Sequence, residues 1–588
     1  MIKVSDFIAE RLKNKHNIDT VFMVSGGGAM HLNDSFGKYL NVICNHNEQA
    51  SSLAAEGYSR TKGLPVVVNV TTGPGGLNAL NGLFGAWTDS VPLIFISGQV
   101  KFSTTIGSVP ELKLRQLGDQ EADIISVVKP LTKFAYQIRD PQEVEQIIDR
   151  AVFESLSGRK GPVWIDIPHN IQSAMIEPSS QLPFLPSEEP TYSFDVIDLL
   201  KKIEQAKRPV VVVGHGVRLS DSIESVKEFL KKVRVPVLTT FNGFDIIPED
   251  FPTYIGRIGT IGQRAANLIL QNSDLVLFLG TRNNIRQISY NWENFVPNAY
   301  SIAVDIDEAE LKKPTFKPTL AIHSDLRVFL KELNQCATSI EKPDWLSKAK
   351  EVKENLDPNV FENYCAHSGK IHAYKAVQKI CEGMLENEVC VLANATPTIA
   401  AFQLAKIKRS QRFISNSGDA SMGYDLPAAL GAAIALPGKQ ITCIAGDGSI
   451  MMNLQELQTI VHHNLPIKIF IINNNGYSSI KQTQNNFFEG RHCGDGPESG
   501  VSLPDFVKVG KAFGIPSTRV ETIEQLDNFL FENKKVSAPV ICEVVVDPDY
   551  IFTPKLAARK KDDGTLESPS LENMFPFLSE LDLQKLKL

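Results

Sequence analysis

Hydrophobic and polar positions along the chain fall into two alternating patterns, one of helical period and one of short, nearly continuous apolar runs. Phe7, Ile8 and Leu12 recur at helical spacing, which predicts a helix from Asp6 to about Lys15 with Ser5 as its N-cap. Apolar, β-branched runs at Val21–Val24, Asn41–Cys44, Val66–Val70, Leu93–Ile96 and Val163–Ile167 read as strands. A second block opens at Pro209–Gly214 and continues through strand candidates Leu275–Gly280 and Ile302–Ile306. A third runs from about Lys370 to Val546, with strands near Val389–Ala393, Thr442–Ala445, Ile467–Ile472 and Val540–Val545. Strands apolar on both faces, alternating with amphipathic helices, predict α/β architecture with parallel sheets. The Pro/Ser-rich segment 178–194 reads as a linker, and the charged stretch Glu341–Pro358 as a second boundary. The expected organisation is therefore three parallel-sheet α/β domains, 1–178, 195–340 and 365–550, followed by an irregular C-terminal arm, 551–588. No repeat is visible between the blocks.

Composition narrows the function classes. The 60 Lys and Arg against 67 Asp and Glu leave a net charge of −7, which gives nucleic acid no electrostatic footprint. No apolar run approaches the roughly 18 residues that span a bilayer, so no membrane partner is expected. The N-terminus leads into a mixed-charge amphipathic stretch rather than a signal peptide. Eight scattered cysteines without a CxxC pair read as buried small hydrophobes in a reducing compartment, so a cytoplasmic enzyme is the expectation.

The densest chemistry lies in the third block. Gly446-Asp447-Gly448-Ser449 ends one apolar strand and opens a helix whose Leu454, Leu457 and Val461 share a face. Asn473-Asn474 ends the next strand, with Asn474 27 positions beyond Asp447. Both elements then sit at the carboxyl ends of strands, where open α/β sheets bind ligands. Flanking glycines let backbone approach a phosphate, and a helix N-terminus favours its charge. Asp447 and the Asn474 amide offer a hard cation such as Mg²⁺ two oxygens. Either element alone reads as a turn; together, at this spacing, they point to a metal–diphosphate site. In the first block, Glu48 follows strand Asn41–Cys44 and enters a helix covering Ser51 to Arg60, and the Gly-rich segment Thr71–Asn78 follows the next strand. A lone glutamate there would be an ordinary first-turn acid favoured by the helix dipole.

The GDG…NN pair resembles the diphosphate–metal motif of thiamine diphosphate enzymes, and Glu48 with the Gly-rich loop resembles their aminopyrimidine side. Gly161–Pro168, Gln120-Glu121, Met422–Ala429, Met451–Leu457 and Asn464-Leu465-Pro466 are similar to the acetolactate synthase family, large catalytic subunit, over nearly the whole chain. The resemblance implies pyrimidine-binding, central and diphosphate-binding domains in that order. It implies thiamine diphosphate and Mg²⁺, with Asp447, Asn474 and the Gly476 carbonyl as metal ligands. Gly446, Gly448, Ser449 and Thr396 would flank the diphosphate, and Gly26, Thr72, Gly73 and Asn78 the pyrimidine. Glu48 would stabilise the imino tautomer of the ring and so act as a proton relay. Met422, otherwise a flexible core filler, would wedge beneath the cofactor, the Ala420 carbonyl would accept from its amino group, and Gln120 would lie near pyruvate. The resemblance also implies FAD in the central domain, near Arg282 and Asp305; related members hold ADP or nothing there. The family's Phe-Asp-Asp-Arg is here Asn283-Asn284-Ile285-Arg286. A homodimer or homotetramer, each site drawing on two chains, follows from the same resemblance.

The implied activity is a carboligase that decarboxylates pyruvate and passes a two-carbon unit to an acceptor carbonyl. The alternatives are an ordinary acetolactate synthase, a 2-oxo acid decarboxylase or C–C hydrolase, and a non-catalytic nucleotide-binding protein. The chain departs from the family pattern on the acceptor side. Arg-Gln-Trp-Gln is replaced by Lys481-Gln482-Thr483-Gln484, the lysine after Asp-Ile-Pro by His169, and the phenylalanine before Gln-Glu by Asp119. Each change alone is drift at a pocket rim. Together they predict a polar, enlarged acceptor pocket suited to a hydroxylated ketone, such as a keto-deoxy sugar on a nucleotide carrier.

Overall fold

The computed structural model describes residues 1–177, 184–185, 192–560 and 565–586. Three six-stranded parallel sheets follow one another along the chain. The first has spatial order Asn41–Cys44, Thr20–Met23, Val66–Val70, Leu93–Gln99, Val163–Pro168, Phe134–Gln137. The third runs Arg412–Ile414, Val389–Leu392, Ile441–Gly446, Ile467–Asn473, Val540–Val545, Ser517–Val520. Numbered within their own sheets, both have the order 2-1-3-4-6-5, a structural repeat that the sequence did not display. The central sheet runs Tyr254–Arg257, Val237–Thr239, Pro209–Val213, Leu275–Leu279, Tyr300–Asp305, Leu320–His323, the doubly wound order 3-2-1-4-5-6.

Three local expectations are corrected. The first helix is Val4–Asn14, with Lys3 at the N-cap position; Ser5 lies inside it, buried, and accepts a hydrogen bond from Ser35 Oγ at 2.9 Å. The stretch read as a boundary at Glu341–Pro358 is largely a helix, Pro343–Asn355, whose Trp345, Leu346, Ala349 and Val352 pack into the central core. Its polar residues are one face of an amphipathic helix, which charge counting alone mistakes for a linker. The helix expected after Asp447 is broken into a turn, Asp447–Ile450, a 3₁₀ turn, Met451–Asn453, and a helix, Glu456–His462. The linker segment lies, apart from 184–185 and 192–194, outside the described residues. In the arm, Leu571 joins the central core, and Met574 and Pro576 carbonyls accept from the Arg264 guanidinium at 2.8 Å each.

The first and third units meet through two helices, α1 (Glu48–Lys62) and α2 (Asp425–Ala435). Both are buried nearly all round, as expected of helices inside a large core. Small residues let the backbones touch: a Cβ on Gly57 would lie 2.2 Å from the Ala428 carbonyl oxygen, and one on Gly431 1.8 Å from that of Ala54. The central unit is tied to the third by Asp245, which bridges Arg218 (2.9 Å) and Arg412 (2.8 Å). Burial would raise its pKa, but the two arginines hold it down at about 2.

The α1–α2 contact gives a direct test. Gly57→Ala should lower the thermal midpoint, with an overpacking cost of about 1–3 kcal/mol. Gly37→Ala, exposed in helix Met30–Tyr39 with nothing within 4 Å of the new methyl, should raise it by about 0.5–1 kcal/mol of helix stabilisation. Equal midpoints for the two variants would contradict the packing account.

Candidate active site

Asp447 lies at the carboxyl end of strand Ile441–Gly446 and is only 2% exposed. Its carboxylate accepts from three backbone N–H groups, Gly448 at 2.8 Å, Asn474 at 3.0 Å and Gly476 at 3.1 Å. Burial outweighs these bonds and pushes its pKa up to about 7. The Asn474 amide nitrogen donates to the Tyr550 hydroxyl (2.9 Å) and Ser478 Oγ (3.3 Å), which fixes the amide plane. Asn474 Oδ1 is then buried and without a partner among the described residues. A buried carboxylate short of positive charge beside an orphaned amide oxygen is a donor set that fits a hard cation. Thr396, at the neighbouring strand end, pairs its hydroxyl with Tyr550 as well. Tyr550 and Ser478 thus position the cluster; they lie outside every recognised motif, and no sequence signal marked them.

Ser449 Oγ accepts the Gly423 N–H at 2.9 Å, and Asn453 Nδ2 donates to the Gly423 carbonyl at 2.9 Å. The segment Gly446–Ser449 is thereby locked to the Met422 turn. That turn is further held by Asn394, which donates to the Ser421 carbonyl (2.6 Å), and by the Ser421 hydroxyl on Asn81 (2.6 Å). Ala420 sits at φ 58°, a left-handed conformation that costs a non-glycine residue about 1–3 kcal/mol and persists only where the surroundings impose it. Its carbonyl direction is fixed as a result.

A second cluster gathers at the strand ends of the first unit. Asn47 caps α1 by accepting from Gln49 N, and Glu48 occupies the first turn, half-buried, with Asn78 Nδ2 donating to its carboxylate at 3.1 Å. Gly26 abuts Thr71, while Thr72 Oγ1 donates to the Gly98 carbonyl at 3.1 Å. Gly73 has φ 62°, and a Cβ there would lie 1.9 Å from the Gln120 carbonyl oxygen, so only glycine brings the two loops together. Glu456 joins this cluster to the third unit: its buried carboxylate accepts from Asn45 Nδ2 (2.7 Å) and His46 N (2.9 Å). Within one chain, no hydrogen bond or ion pair among the described residues joins Glu48 to Ala420 or Met422.

The residues expected on the acceptor side are not assembled within one chain among the described residues. Asp119 and Gln120 are exposed. Thr483 is exposed on helix Ser478–Phe487 and spends its hydroxyl on the Ser479 carbonyl at 3.1 Å. His169 makes a ring contact with His31. No hydrogen bond, ion pair or ring contact joins Asp119, His169 and Thr483 among the described residues.

A cavity of about 1480 Å³ opens at the switch point of the central sheet, where Gly214 and Gly280 follow adjacent strands. It exceeds the roughly 300–1,000 Å³ of most small-molecule sites. Arg282, Asp305, Arg286 and His215 line it, as do Thr88–Ser90 of the first unit and Phe402 and Ser417 of the third. Arg282 is held by the Thr88 carbonyl, and Arg286 stacks over Phe241 with 4.5 Å to the ring centroid. Burial raises the Asp305 carboxyl to about 6 and lowers the His215 imidazole, whose Nδ1 is buried and unpartnered among the described residues.

Residues 2–123 match the family described as thiamine pyrophosphate enzyme, N-terminal TPP binding domain; residues 196–333 match its central domain, and residues 395–544 its C-terminal TPP binding domain. The acetolactate synthase large subunit of Cyanidium caldarium is 31% identical, over 96% of this chain and 97% of that protein. Acetolactate synthase isozyme 2 large subunit of Escherichia coli (strain K12) is 30% identical, over 90% of this chain and 93% of that protein. The Lactococcus lactis subsp. lactis (strain IL1403) large subunit is 29% identical over 95% of each. With the domains in this order and likeness of this extent, the chain belongs to the thiamine diphosphate-dependent acetolactate synthase family of enzymes.

Proposed function

We propose that this enzyme decarboxylates pyruvate and transfers the remaining two-carbon unit to an acceptor ketone. In the net reaction the C1–C2 bond of pyruvate breaks, CO₂ leaves, and C2 bonds to the acceptor carbonyl carbon, whose oxygen takes a proton. The observation that carries this reading is the half-made ligand shell of Asp447 and Asn474 Oδ1. Asp447, Asn474 and the Gly476 carbonyl would hold Mg²⁺, with Gly446, Gly448, Ser449 and Thr396 around the diphosphate. Thiamine diphosphate, when bound, supplies the electron sink for the decarboxylation. Glu48 would hold and return a proton at a ring nitrogen of the pyrimidine, steadied by Asn78 and its place on the capped end of α1. The strained Ala420 carbonyl would accept from the amino group of that ring, and Met422 would shape the cofactor from below.

Polar Asp119 and Thr483, standing where the family pattern has two aromatic residues, support a hydroxylated ketone as acceptor. The names of the relatives favour the second reading, in which pyruvate itself is the acceptor and the product is 2-acetolactate. Support for FAD in the central cavity comes from the glycines at the switch point and from Asp305, Arg282 and Arg286 lining one cleft, a carboxylate for ribose hydroxyls and two guanidinium groups for phosphate. Exposed Met30, Leu77 and Trp87 on the first unit, with Met451 and Met452 on the third, support a homodimer or homotetramer in which a second copy covers these apolar surfaces.

Three outcomes test the proposal. Asp447→Ala should stay folded and lose thiamine diphosphate–Mg²⁺ affinity by more than about 100-fold in calorimetry, since even outer partners of metal ligands contribute 10–100-fold; wild-type affinity would refute the metal assignment. Glu48→Gln should keep cofactor binding yet slow exchange of the thiazolium C2 proton by about 10²–10⁴-fold, read by NMR in deuterated buffer; an unchanged rate would remove Glu48 from the mechanism. Thr483→Trp should raise the yield of acetolactate relative to bulky-ketone adducts. A wild type that makes acetolactate efficiently and ignores every bulky ketone would establish the ordinary synthase reading instead.

A further inference from the structure

His31 and His169 stand 138 positions apart in sequence, yet their ring centroids lie 4.8 Å apart with the planes tilted by 53°. His31 is in the first turn of helix Met30–Tyr39; His169 directly follows strand Val163–Pro168. Both are half-buried, and no described residue hydrogen-bonds either ring. The pair belongs to the same strand-end rim as the pyrimidine-side cluster. Gln172 Nε2 donates to the Gly28 carbonyl (2.7 Å) and to the Ile167 carbonyl (2.8 Å), tying the turn before His31 to the strand before His169. The same Gly28 N–H donates to Thr71 Oγ1 at 3.0 Å. On the other side, Asn170 Oδ1 accepts from Phe102 N at 3.0 Å, which anchors the start of the loop carrying Asp119 and Gln120.

The charged groups facing His31 are Lys3 from the short strand Ile2–Lys3, Asp34 from its own helix and His169. Lys3 and Lys38 both engage Asp34, at 2.9 and 2.8 Å. Burial, His169 and Lys3 together hold His31 below the ordinary histidine range, with Asp34 opposing. A neutral imidazole offers one N–H donor and one acceptor nitrogen. That complement matches a hydroxyl, which also donates and accepts, whereas a carboxylate only accepts and is better served by a fixed cation.

We propose that His31 and His169 form a specificity pair at the mouth of the active site, hydrogen-bonding the hydroxyls of a polyhydroxylated ketone acceptor. The proposal rests on the carboligase reading above, and it concerns the acceptor only. The pair stands in the first unit and the Asp447 cluster in the third, and the proposal gives the pair no contact with pyruvate, so donor decarboxylation should not depend on it.

The test uses the cofactor-loaded full-length enzyme with two acceptors, erythrulose and 2-oxobutyrate, and an acceptor-free assay of pyruvate-dependent ferricyanide reduction. His31→Ala and His169→Ala should each raise the KM for erythrulose about tenfold, the equivalent of one neutral hydrogen bond. Ferricyanide reduction and the KM for 2-oxobutyrate should stay within about twofold of wild type, well below one such bond. His31→Gln and His169→Asn, which keep one donor and one acceptor, should recover part of the loss and guard against misfolding of the alanine variants. Unchanged erythrulose KM in both alanine variants, or equal shifts for both acceptors, would overturn the pair's role. A wild type that reduces ferricyanide but uses only 2-oxobutyrate would also overturn it while leaving donor chemistry intact. A wild type that shows no pyruvate-dependent ferricyanide reduction would instead sink the carboligase reading.

Discussion

Where α1 crosses α2, backbone meets backbone, with Gly57 against Ala428 and Gly431 against Ala54. No larger side chain fits at these points, so the spacing between the first and third units is set by main-chain contact rather than by adjustable side chains. Two of the segments proposed for the site lie at the ends of these helices. Glu48 sits at the start of α1, and the turn carrying Ala420 and Met422 leads directly into α2. The crossing therefore fixes the Glu48 turn and the Ala420–Met422 turn at once, one at each helix N-terminus. The Glu456 carboxylate, buried and holding Asn45 and His46, adds directional polar bonds to the contact. Packing supplies the distance and hydrogen bonds supply the orientation.

The same economy of buried polar groups separates structure from function. Asp245 is buried with two arginines and a backbone N–H, and its pKa is held down; it is a satisfied joint between the central and third units. Asp447 is as deeply buried, receives only neutral N–H groups, and its pKa is pushed up. A carboxylate in that state gains most from a cation, and the orphaned Asn474 oxygen beside it would gain too. The contrast supports the proposal that the Asp447 cluster takes up a cation.

Much of this was legible in the sequence, for a physical reason. Strands buried on both faces must be continuously apolar, and the sequence pattern places both ends of Val66–Val70 and Val540–Val545 where the structure has them. Asp447 and Asn474 stand out in the sequence because a strand end, a turn and an oxygen-bearing side chain coincide in few residues, and the structure brings the two together. What failed was local. Ser5 has the chemistry of an N-cap but is used inside the helix by Ser35, and the polar face of Pro343–Asn355 hid its buried Trp345. What could not be read was long-range. Tyr550 positions Asn474 from 76 residues away, and Glu456 reaches Asn45 across 411. No spacing rule encodes such pairs.

The acceptor side follows from the same distinction. Phosphate and metal are held by backbone and by short side chains at strand ends, so their recognition is written into compact motifs. An acceptor is selected by side chains projecting from several elements, and the residues proposed for that task, His31, Asp119, His169 and Thr483, come from four separate segments. Among the described residues, a ring contact joins the two histidines, and no hydrogen bond, ion pair or ring contact joins the others to them or to each other. Such a surface can change one residue at a time without disturbing the α1–α2 crossing or the Asp447 cluster, because none of its members takes part in either. The scaffold can therefore keep its donor chemistry fixed while acceptor preference drifts. Under the proposed function, substitutions at Asp119, His169 and Thr483 beside an unchanged Gly446–Ser449 and Asn473-Asn474 pair are the pattern that this division of labour produces.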